Sequence, residues 1–261
     1  MNVGHAHAAA VVVSGVVGLV IGSFVGVVAD RVPRKESIVA PASHCTSCGS
    51  PLRARDNIPV VSYMLLRGRC HSCGVRIPPR DLAIELTTAA LFALVAWRLP
   101  YLWALPSYLV VVAGLVALSA IDLDHRRLPT PVIVVTAAVG APLLVLASGM
   151  TGRWDALLLA AISAAACFVV FFLVFFAVPR GMGFGDVRLA ALIGGWLGWL
   201  GASVVPVGIL AGFVLAGVPA IALLVVGKVT RKTRIAFGPF LAAGAVVGFC
   251  FGPTIAHSWH L

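Results

Sequence analysis

Residues 8–29 read AAAVVVSGVVGLVIGSFVGVVA, a stretch of 22 residues without a charged side chain. A helix needs about 20 consecutive apolar residues to cross the hydrocarbon layer of a membrane. No Lys or Arg precedes the stretch, so it lacks the basic start of a cleaved signal peptide. We therefore expect it to be retained as a first transmembrane helix.

The rest of the chain repeats this apolar pattern. Of its 261 residues, 61% are hydrophobic and 11% are charged, and the mean hydropathy is +1.05. A soluble protein of this composition could not cover its own surface, which excludes an ordinary cytosolic enzyme, a disordered chain and a secreted disulfide scaffold. The sequence predicts an all-α polytopic membrane protein with about eight transmembrane helices. The seven later spans are expected at 82–97, 101–121, 130–149, 155–178, 187–200, 203–227 and 236–255.

The basic residues indicate which side of the membrane each loop faces. The formal net charge is +10, and the polar stretch between the first two spans holds nine basic residues against four acids. The positive-inside rule places such a loop in the cytoplasm. Alternation then puts seventeen of the 19 Lys and Arg residues inside and both termini outside. The inner set outside that loop is Arg126, Arg127, Arg180, Arg188, Lys228, Arg231, Lys232 and Arg234. No recognition helix or RNA motif accompanies the charge, so we expect no nucleic-acid partner.

Four cysteines in the polar loop have the spacing of a metal site. Cys45 and Cys48 form one C-x-x-C pair, and Cys70 and Cys73 form a second. Gly49 and Gly74 each follow the second cysteine of a pair, as suits a knuckle turn that needs a positive φ. Two such pairs can offer four thiolates in a tetrahedron, which suits a closed, structural Zn²⁺ site. Four unrelated thiols or two disulfides are the alternatives, and a reducing cytoplasm disfavours the disulfides. Cys167 and Cys250 lie alone in apolar spans and are expected to be packing residues.

Acidic residues in or beside the spans are candidates for function, because an ionisable group is costly there. Asp122 and Asp124 end the third span, and Asp186 opens the sixth, so the topology places all three at the cytoplasmic face. Two carboxyls at one depth could act as a pair, in which one holds a proton while the other activates water. An interfacial helix cap is the alternative for each. Glu85 and Asp155 are expected to be a buried hydrogen-bond partner and a first-turn acid.

Gly183-Phe184-Gly185-Asp186 resembles the G-x-G-D motif of intramembrane aspartyl proteases. The other motifs, in the same order along the chain, resemble those of the type IV prepilin peptidases. They are Gly22-Ser23-Phe24, Arg31-Val32-Pro33-Arg34, Asp56-Asn57-Ile58-Pro59, Leu65-Leu66-Arg67-Gly68-Arg69-Cys70, Asp122 seven residues before Pro129, and Phe237-Gly238-Pro239-Phe240. Gly26, Thr130 and Arg188 stand where that family often has Asn, Asp and Lys.

The resemblance implies a prepilin leader peptidase of the bacterial plasma (inner) membrane, with its active site facing the cytoplasm. Its substrates would be prepilins or pseudopilins, and many members of the family also methylate the new N-terminus with S-adenosylmethionine. Asp122 and Asp186 would be the catalytic pair, and Cys45, Cys48, Cys70 and Cys73 would bind structural zinc. The backbone at Gly183 and Gly185 would let a peptide approach closely. No glycine-rich nucleotide fingerprint marks a site for S-adenosylmethionine.

This interpretation divides the chain into a first transmembrane helix (1–30), a zinc-ribbon-like cytoplasmic loop (31–80) and a membrane-embedded peptidase core (81–261). A related protease with other substrates, such as preflagellins, is an alternative, which the zinc loop disfavours. An ion-coupled transporter or channel with a regulatory zinc loop is a second. Acids clustered at one face rather than at the midplane of the membrane disfavour the transporter.

Overall fold

The computed structural model describes residues 3–45, 47–177, 182–226 and 236–258. In this part of the chain nearly all regular structure is helical. The helices are α1 (Val3–Arg31), α2 (Val61–Leu65), α3 (Pro79–Arg98), α4 (Leu105–His125), α5 (Thr130–Thr151), α6 (Trp154–Ala177), α7 (Phe184–Leu200), α8 (Val204–Val225) and α9 (Gly238–Ser258). Short 3₁₀ turns at Ala54–Asn57 and Leu102–Ala104 complete the list. The prediction of an all-α membrane protein is confirmed.

Each of the eight predicted spans coincides with one long helix. Five helices in the described residues are long and apolar enough to cross a membrane by themselves: His7–Arg31, Leu102–His125, Thr130–Thr151, Trp154–Ala177 and Val204–Ala222. Gly238–Gly252 is a shorter apolar helix. Of the other two, α3 carries charged residues near both ends, and α7 has only 17 residues. The short sixth span was expected, and most of its side chains are buried by other parts of the protein.

The chain divides into two compact units, Met1–Pro100 and Tyr101–Leu261. In the first unit, α1 packs closely along α3 because glycines face it. A side-chain carbon added at Gly18 would lie 2.6 Å from Cα of Ala89, and one at Gly22 would lie 2.7 Å from Cα of Glu85. Small residues permit this close approach of helix backbones in membranes. The polar loop 32–78 joins the two helices.

In the second unit, the long helices pack through small residues and buried hydrogen bonds. Side-chain carbons added at Gly194 and Gly208 would lie 2.6 Å from Sγ of Cys167 and 2.5 Å from Cδ1 of Leu197. The buried Tyr108 hydroxyl donates to the Trp196 carbonyl at 2.7 Å and ties α4 to α7. These contacts hold α4, α6, α7 and α8 against one another.

Several predicted features lie outside the described residues. They are the inner-side basic residues Arg180, Lys228, Arg231, Lys232 and Arg234. The predicted division at residues 30 and 80 stays a prediction. Cys167 and Cys250 are buried in α6 and α9, as expected of packing residues.

Candidate active site and metal centre

Asp122 lies in the last turn of α4. That helix stops because Arg126 takes up the left-handed conformation (φ 52°) and its N–H donates to the Asp122 carbonyl at 2.8 Å. The Asp122 side chain is buried, and its carboxylate accepts a hydrogen bond from the Gly238 N–H at 2.9 Å. Gly238 is the first residue of α9, where backbone N–H groups have no partner within the helix. The start of one helix therefore holds the carboxylate at the end of another.

Asp186 is the third residue of α7 and is also buried. Its carboxylate accepts a hydrogen bond from the Gly183 N–H at 3.0 Å. This is the arrangement of a helix cap, so the alternative expected for Asp186, a capping residue, is present in the structure. Capping one N–H leaves the other carboxylate oxygen available for chemistry.

The structure brings Asp122 and Asp186 together, although 63 residues separate them in the sequence. The two carboxyls are near enough to interact electrostatically. Leu128, in the turn between α4 and α5, packs against Gly185, which precedes Asp186, and against Gly238, which bonds Asp122. A side-chain carbon added at Gly185 would lie 2.7 Å from Cβ of Leu128, and one at Gly238 would lie 3.0 Å from its Cδ2. The ends of α4, α7 and α9 thus form one site around Leu128.

The two glycines of the G-x-G-D motif have different surroundings. Gly183 is exposed, and a side-chain carbon there would lie 3.3 Å from the Asp186 carboxylate. Gly185 is close to Leu128, so the space left by its missing side chain is occupied. Close approach of a substrate to Gly183 and Gly185 stays a prediction.

Arg188, two residues after Asp186, links the start of α7 to the start of α5. Its guanidinium stacks over the Phe184 ring, 4.4 Å from the ring centroid, and donates a hydrogen bond to the Thr130 hydroxyl. Thr130 is the first residue of α5. The positions where the family often has Asp and Lys are therefore in contact here as Thr and Arg.

The other acids considered from the sequence do not join this site. Asp124 is exposed. Asp155 lies in the first turn of α6, as expected. Glu85 accepts a hydrogen bond from the Val60 N–H at 2.8 Å within the first unit, as predicted, but it is half-buried rather than buried.

The four loop cysteines form a compact cluster. All four Sγ atoms lie within 4.8 Å of one another, and those of Cys45 and Cys73 are 3.9 Å apart. At a Zn–S distance of about 2.3 Å, a tetrahedral site separates its sulfurs by about 3.8 Å. The cluster could therefore hold one metal ion, and all four of its positions would be filled by protein.

Two turns of the same form build this cluster. In the first, the Cys45 N–H donates to the Ser50 carbonyl at 2.9 Å, and the Gly49 N–H donates to the Cys45 carbonyl at 2.8 Å. In the second, Cys70, Val75 and Gly74 make the same two bonds at 2.8 Å and 2.9 Å. Gly49 and Gly74 have φ of 70° and 69°, a conformation that glycine adopts without strain. The predicted knuckle turns are confirmed.

The thiols of the cluster differ in acidity. Hydrogen bonds from the Ser50 hydroxyl and backbone amide lower the pKa of Cys48 to about 6. The Val75 amide lowers the pKa of Cys73, but burial and the neighbouring thiols together raise it to about 11. A metal that binds four thiolates would therefore release protons from the thiols that still hold them.

Sequence reasoning identified the two aspartates but not the groups that hold them. The roles of Gly238 and Leu128 were missed, although both lie in the quoted motif segments. Gly238-Pro239 after a basic segment is typical of a helix start, and the free N–H groups of such a start attract carboxylates. That signal could have pointed to Gly238.

Comparison with known proteins identifies the family of the chain. Residues 16–99 match the family described as Bacterial Peptidase A24 N-terminal domain, and residues 109–225 match the Type IV leader peptidase family. The prepilin leader peptidase/N-methyltransferase of Stutzerimonas stutzeri is 32% identical over 94% of this chain and 91% of its own length. The proteins of that name from Pseudomonas aeruginosa and Neisseria gonorrhoeae are 31% and 32% identical, over 93% and 97% of this chain and 90% and 95% of their own.

No solved structure matches the chain. Nothing in the comparisons supports the transporter alternative. The resemblance found in the motifs is confirmed over most of the sequence, and the chain belongs to the type IV leader peptidase family, a family of membrane peptidases.

Proposed function

We propose that this peptidase removes the basic leader from prepilins or pseudopilins, and that Asp122 and Asp186 are its catalytic pair. The observation that carries the proposal is the pairing of two buried carboxyls at adjoining helix ends, each fixed by a glycine N–H. Structural ion pairs in membrane proteins join opposite charges. Two like groups near one another, with no described basic side chain bonded to either, favour catalysis instead.

The reaction needs one carboxylate and one protonated carboxyl. The carboxylate takes a proton from water as the water oxygen attacks the scissile carbonyl carbon, and the other carboxyl donates its proton to the carbonyl oxygen. Collapse of the tetrahedral intermediate breaks the C–N bond. The proton gained from water passes to the leaving nitrogen, and one hydroxyl proton of the intermediate returns to the carboxylate that had donated its proton, which restores the pair. In this proposal, the N–H groups of Gly183 and Gly238 hold one oxygen of each carboxyl and aim the other at the substrate.

The proposed substrate has a short basic leader followed by an apolar helix. The apolar helix would lie in the bilayer, with the scissile bond at the cytoplasmic face of the bacterial plasma membrane. The distribution of Lys and Arg supports this orientation, with both termini outside.

We propose that the metal held by Cys45, Cys48, Cys70 and Cys73 is Zn²⁺ in a structural role. Thiolate ligands in a tetrahedron suit zinc, and four protein ligands leave no position for a substrate. The metal would stabilise the loop and take no part in the cleavage step.

N-methylation of the new N-terminus with S-adenosylmethionine is a further part of the proposal, supported by the names of the relatives. The described residues contain isolated backbone bridges but no sheet on which a Rossmann-type nucleotide site could form. We assign no residue to this cofactor and derive no step through it.

Product masses test the proposal. Purified protein is incubated with a prepilin, with and without S-adenosylmethionine, and with Asp186→Asn as the inactive control. Loss of the leader mass supports the peptidase, and a further gain of one methyl mass supports methylation. An intact precursor in the presence of folded wild-type protein would refute the cleavage proposal.

A further inference from the structure

The short helix α2, in the loop of the first unit, has two unlike faces. On one face, Ser62 is buried and its hydroxyl donates to the Ile58 carbonyl. The Tyr63 hydroxyl on that side donates to the Ile77 carbonyl at 3.4 Å. Tyr63 also covers Gly68, where an added side-chain carbon would lie 2.9 Å from the ring. This face is held by the loop itself.

The opposite face is apolar and uncovered. Ile58, Val61, Met64 and Leu65 are 46%, 48%, 71% and 78% exposed. Positions 61, 64 and 65 lie on one side of a helix, and residue 58 precedes them by one turn. Neighbouring apolar side chains exposed together mark an interaction surface rather than ordinary scatter.

A hydrogen bond fixes the depth of this face relative to a transmembrane helix. The Val60 N–H, at the start of α2, donates to the Glu85 carboxylate at 2.8 Å. Glu85 lies six residues after Pro79, the first residue of α3, which is about 9 Å along the helix axis. The predicted apolar span 82–97 has already begun at that point. Helix α2 therefore lies level with the first membrane turns of α3, not out in the aqueous phase.

Basic residues flank the apolar face on both sides in the sequence. Arg53 and Arg55 precede it, Arg67 and Arg69 follow it, and all four are exposed. A basic precursor leader would be repelled by them, whereas the anionic headgroups of a bilayer would be attracted. An apolar helix face bordered by arginines at the membrane boundary is typical of interfacial helices.

We infer that α2 is a membrane-interface anchor that inserts Ile58, Val61, Met64 and Leu65 at the boundary of headgroups and acyl chains. The four arginines bind anionic phospholipid headgroups beside it. The anchor would hold the cysteine loop against the bilayer. The inference rests on contacts within the first unit and is independent of the proposed catalytic pair.

Photocrosslinking tests the inference in the full-length protein. p-Azidophenylalanine replaces Leu65 on the apolar face or, as the matched control on the same helix, Tyr63 on the inner face. Each protein is reconstituted in phosphatidylglycerol and phosphatidylethanolamine bilayers, and adducts are identified by mass spectrometry. We expect lipid adducts from position 65 and adducts within the loop from position 63. Crosslinks from position 65 to another protein segment, or only solvent products, would overturn the inference.

In a second measurement the main comparison uses wild-type protein, so it does not depend on whether the crosslinking variants fold. Amide hydrogen exchange of residues 61–66 is compared in nanodiscs of phosphatidylglycerol and of phosphatidylcholine. Exchange should be slower with the anionic lipid, and Arg67→Gln should speed it about fivefold there, as expected for the attraction of one arginine to such a surface. Equal exchange in the two lipids would contradict the role of the arginines.

Discussion

The cysteine cluster and the carboxyl pair are built in opposite ways. The cluster comes from two turns of one loop, and each turn is closed by hydrogen bonds spanning four or five residues. The carboxyl pair comes from the ends of three helices, and the bond from Gly238 to Asp122 spans 116 residues. The bonds that shape the first site lie within its two turns, which one loop brings together, whereas the second site exists only when the helices of the second unit are packed.

The two sites also differ in what they leave open. In a tetrahedral metal site, all four positions would be occupied by the cysteines. Each aspartate has one oxygen held by a glycine N–H and a second oxygen without a described hydrogen bond. This contrast is what we expect if, as proposed, the loop serves structure and the helix ends perform chemistry. Four substitution experiments can break or sharpen it.

Removing either carboxyl charge should have the largest effect. We expect Asp122→Asn and Asp186→Asn each to lower cleavage by about 1,000-fold or more, because neither acid nor base can be replaced by an amide. The amide oxygen can still accept from Gly238 or Gly183, so folding should be preserved. Initial rates on a purified prepilin, with melting temperature as the folding check, measure both.

Asp124→Asn is the matched control, because Asp124 lies one helix turn or less from Asp122 but is exposed. It should keep most of the activity. Full activity in Asp122→Asn or in Asp186→Asn would remove that residue from the catalytic pair.

Crowding the Gly238 N–H, which donates to Asp122, should have the next largest effect on cleavage. In Gly238→Ala, the added methyl would lie 2.9 Å from the Asp122 carboxylate and 3.0 Å from Leu128. We expect Asp122 to shift and cleavage to fall by about 100-fold, the usual penalty for a misplacement near 1 Å. Gly217→Ala is the control, because no atom lies within 4 Å of the added carbon there. Equal rates for the two variants would show that the Gly238 contact does not position Asp122.

The same contrast explains what the sequence could predict. Cysteine spacing and glycine placement were sufficient to predict the knuckle turns around Cys45 and Cys70, because every hydrogen bond in these turns is local. The lengths of the apolar stretches were sufficient to predict the long helices. Asp122 and Asp186 were selected from their places at the ends of spans and from motif resemblance, but Gly238 and Leu128 were not identified as their neighbours. Their contacts depend on how helices pack, and one apolar face of a membrane helix resembles another in sequence.

Loss of the metal should affect structure more than chemistry. We expect about one zinc per purified chain, and Cys48→Ser or Cys73→Ser should lower that content. Residues 40–80 should become more sensitive to protease, while cleavage of a prepilin should fall by about tenfold or less, since thiolate ligands are not reacting groups. Elemental analysis and limited proteolysis give the readouts.

Cys167→Ala, a substitution of a buried cysteine in α6, is the control and should retain zinc. Zinc-free wild-type protein with the protease pattern of the cysteine variants would refute the metal proposal. Loss of cleavage as complete as in Asp186→Asn would instead make the loop part of the catalytic machinery.

Breaking the contact between Thr130 and Arg188 should have the smallest effect on cleavage. Its effect on the melting temperature should change sign with the residue that replaces Thr130. Thr130→Val removes the hydroxyl that accepts from the Arg188 guanidinium, and a hydrogen bond to a charged group contributes about 1.5–3 kcal/mol. We expect a lower melting temperature but a fall in cleavage of less than tenfold, since Arg188 would still stack on Phe184.

Thr130→Asp should instead raise the melting temperature. A carboxylate there can pair with Arg188, and it would sit in the first turn of α5, where the helix dipole favours negative charge by about 0.3–1 kcal/mol. In the double variant Thr130→Asp/Arg188→Gln, the gain in melting temperature should shrink to the contribution of the helix dipole alone. If Thr130→Asp is no more stable than Thr130→Val in the presence of Arg188, the two side chains do not interact in the folded protein, and the link between the start of α5 and the G-x-G-D helix is lost.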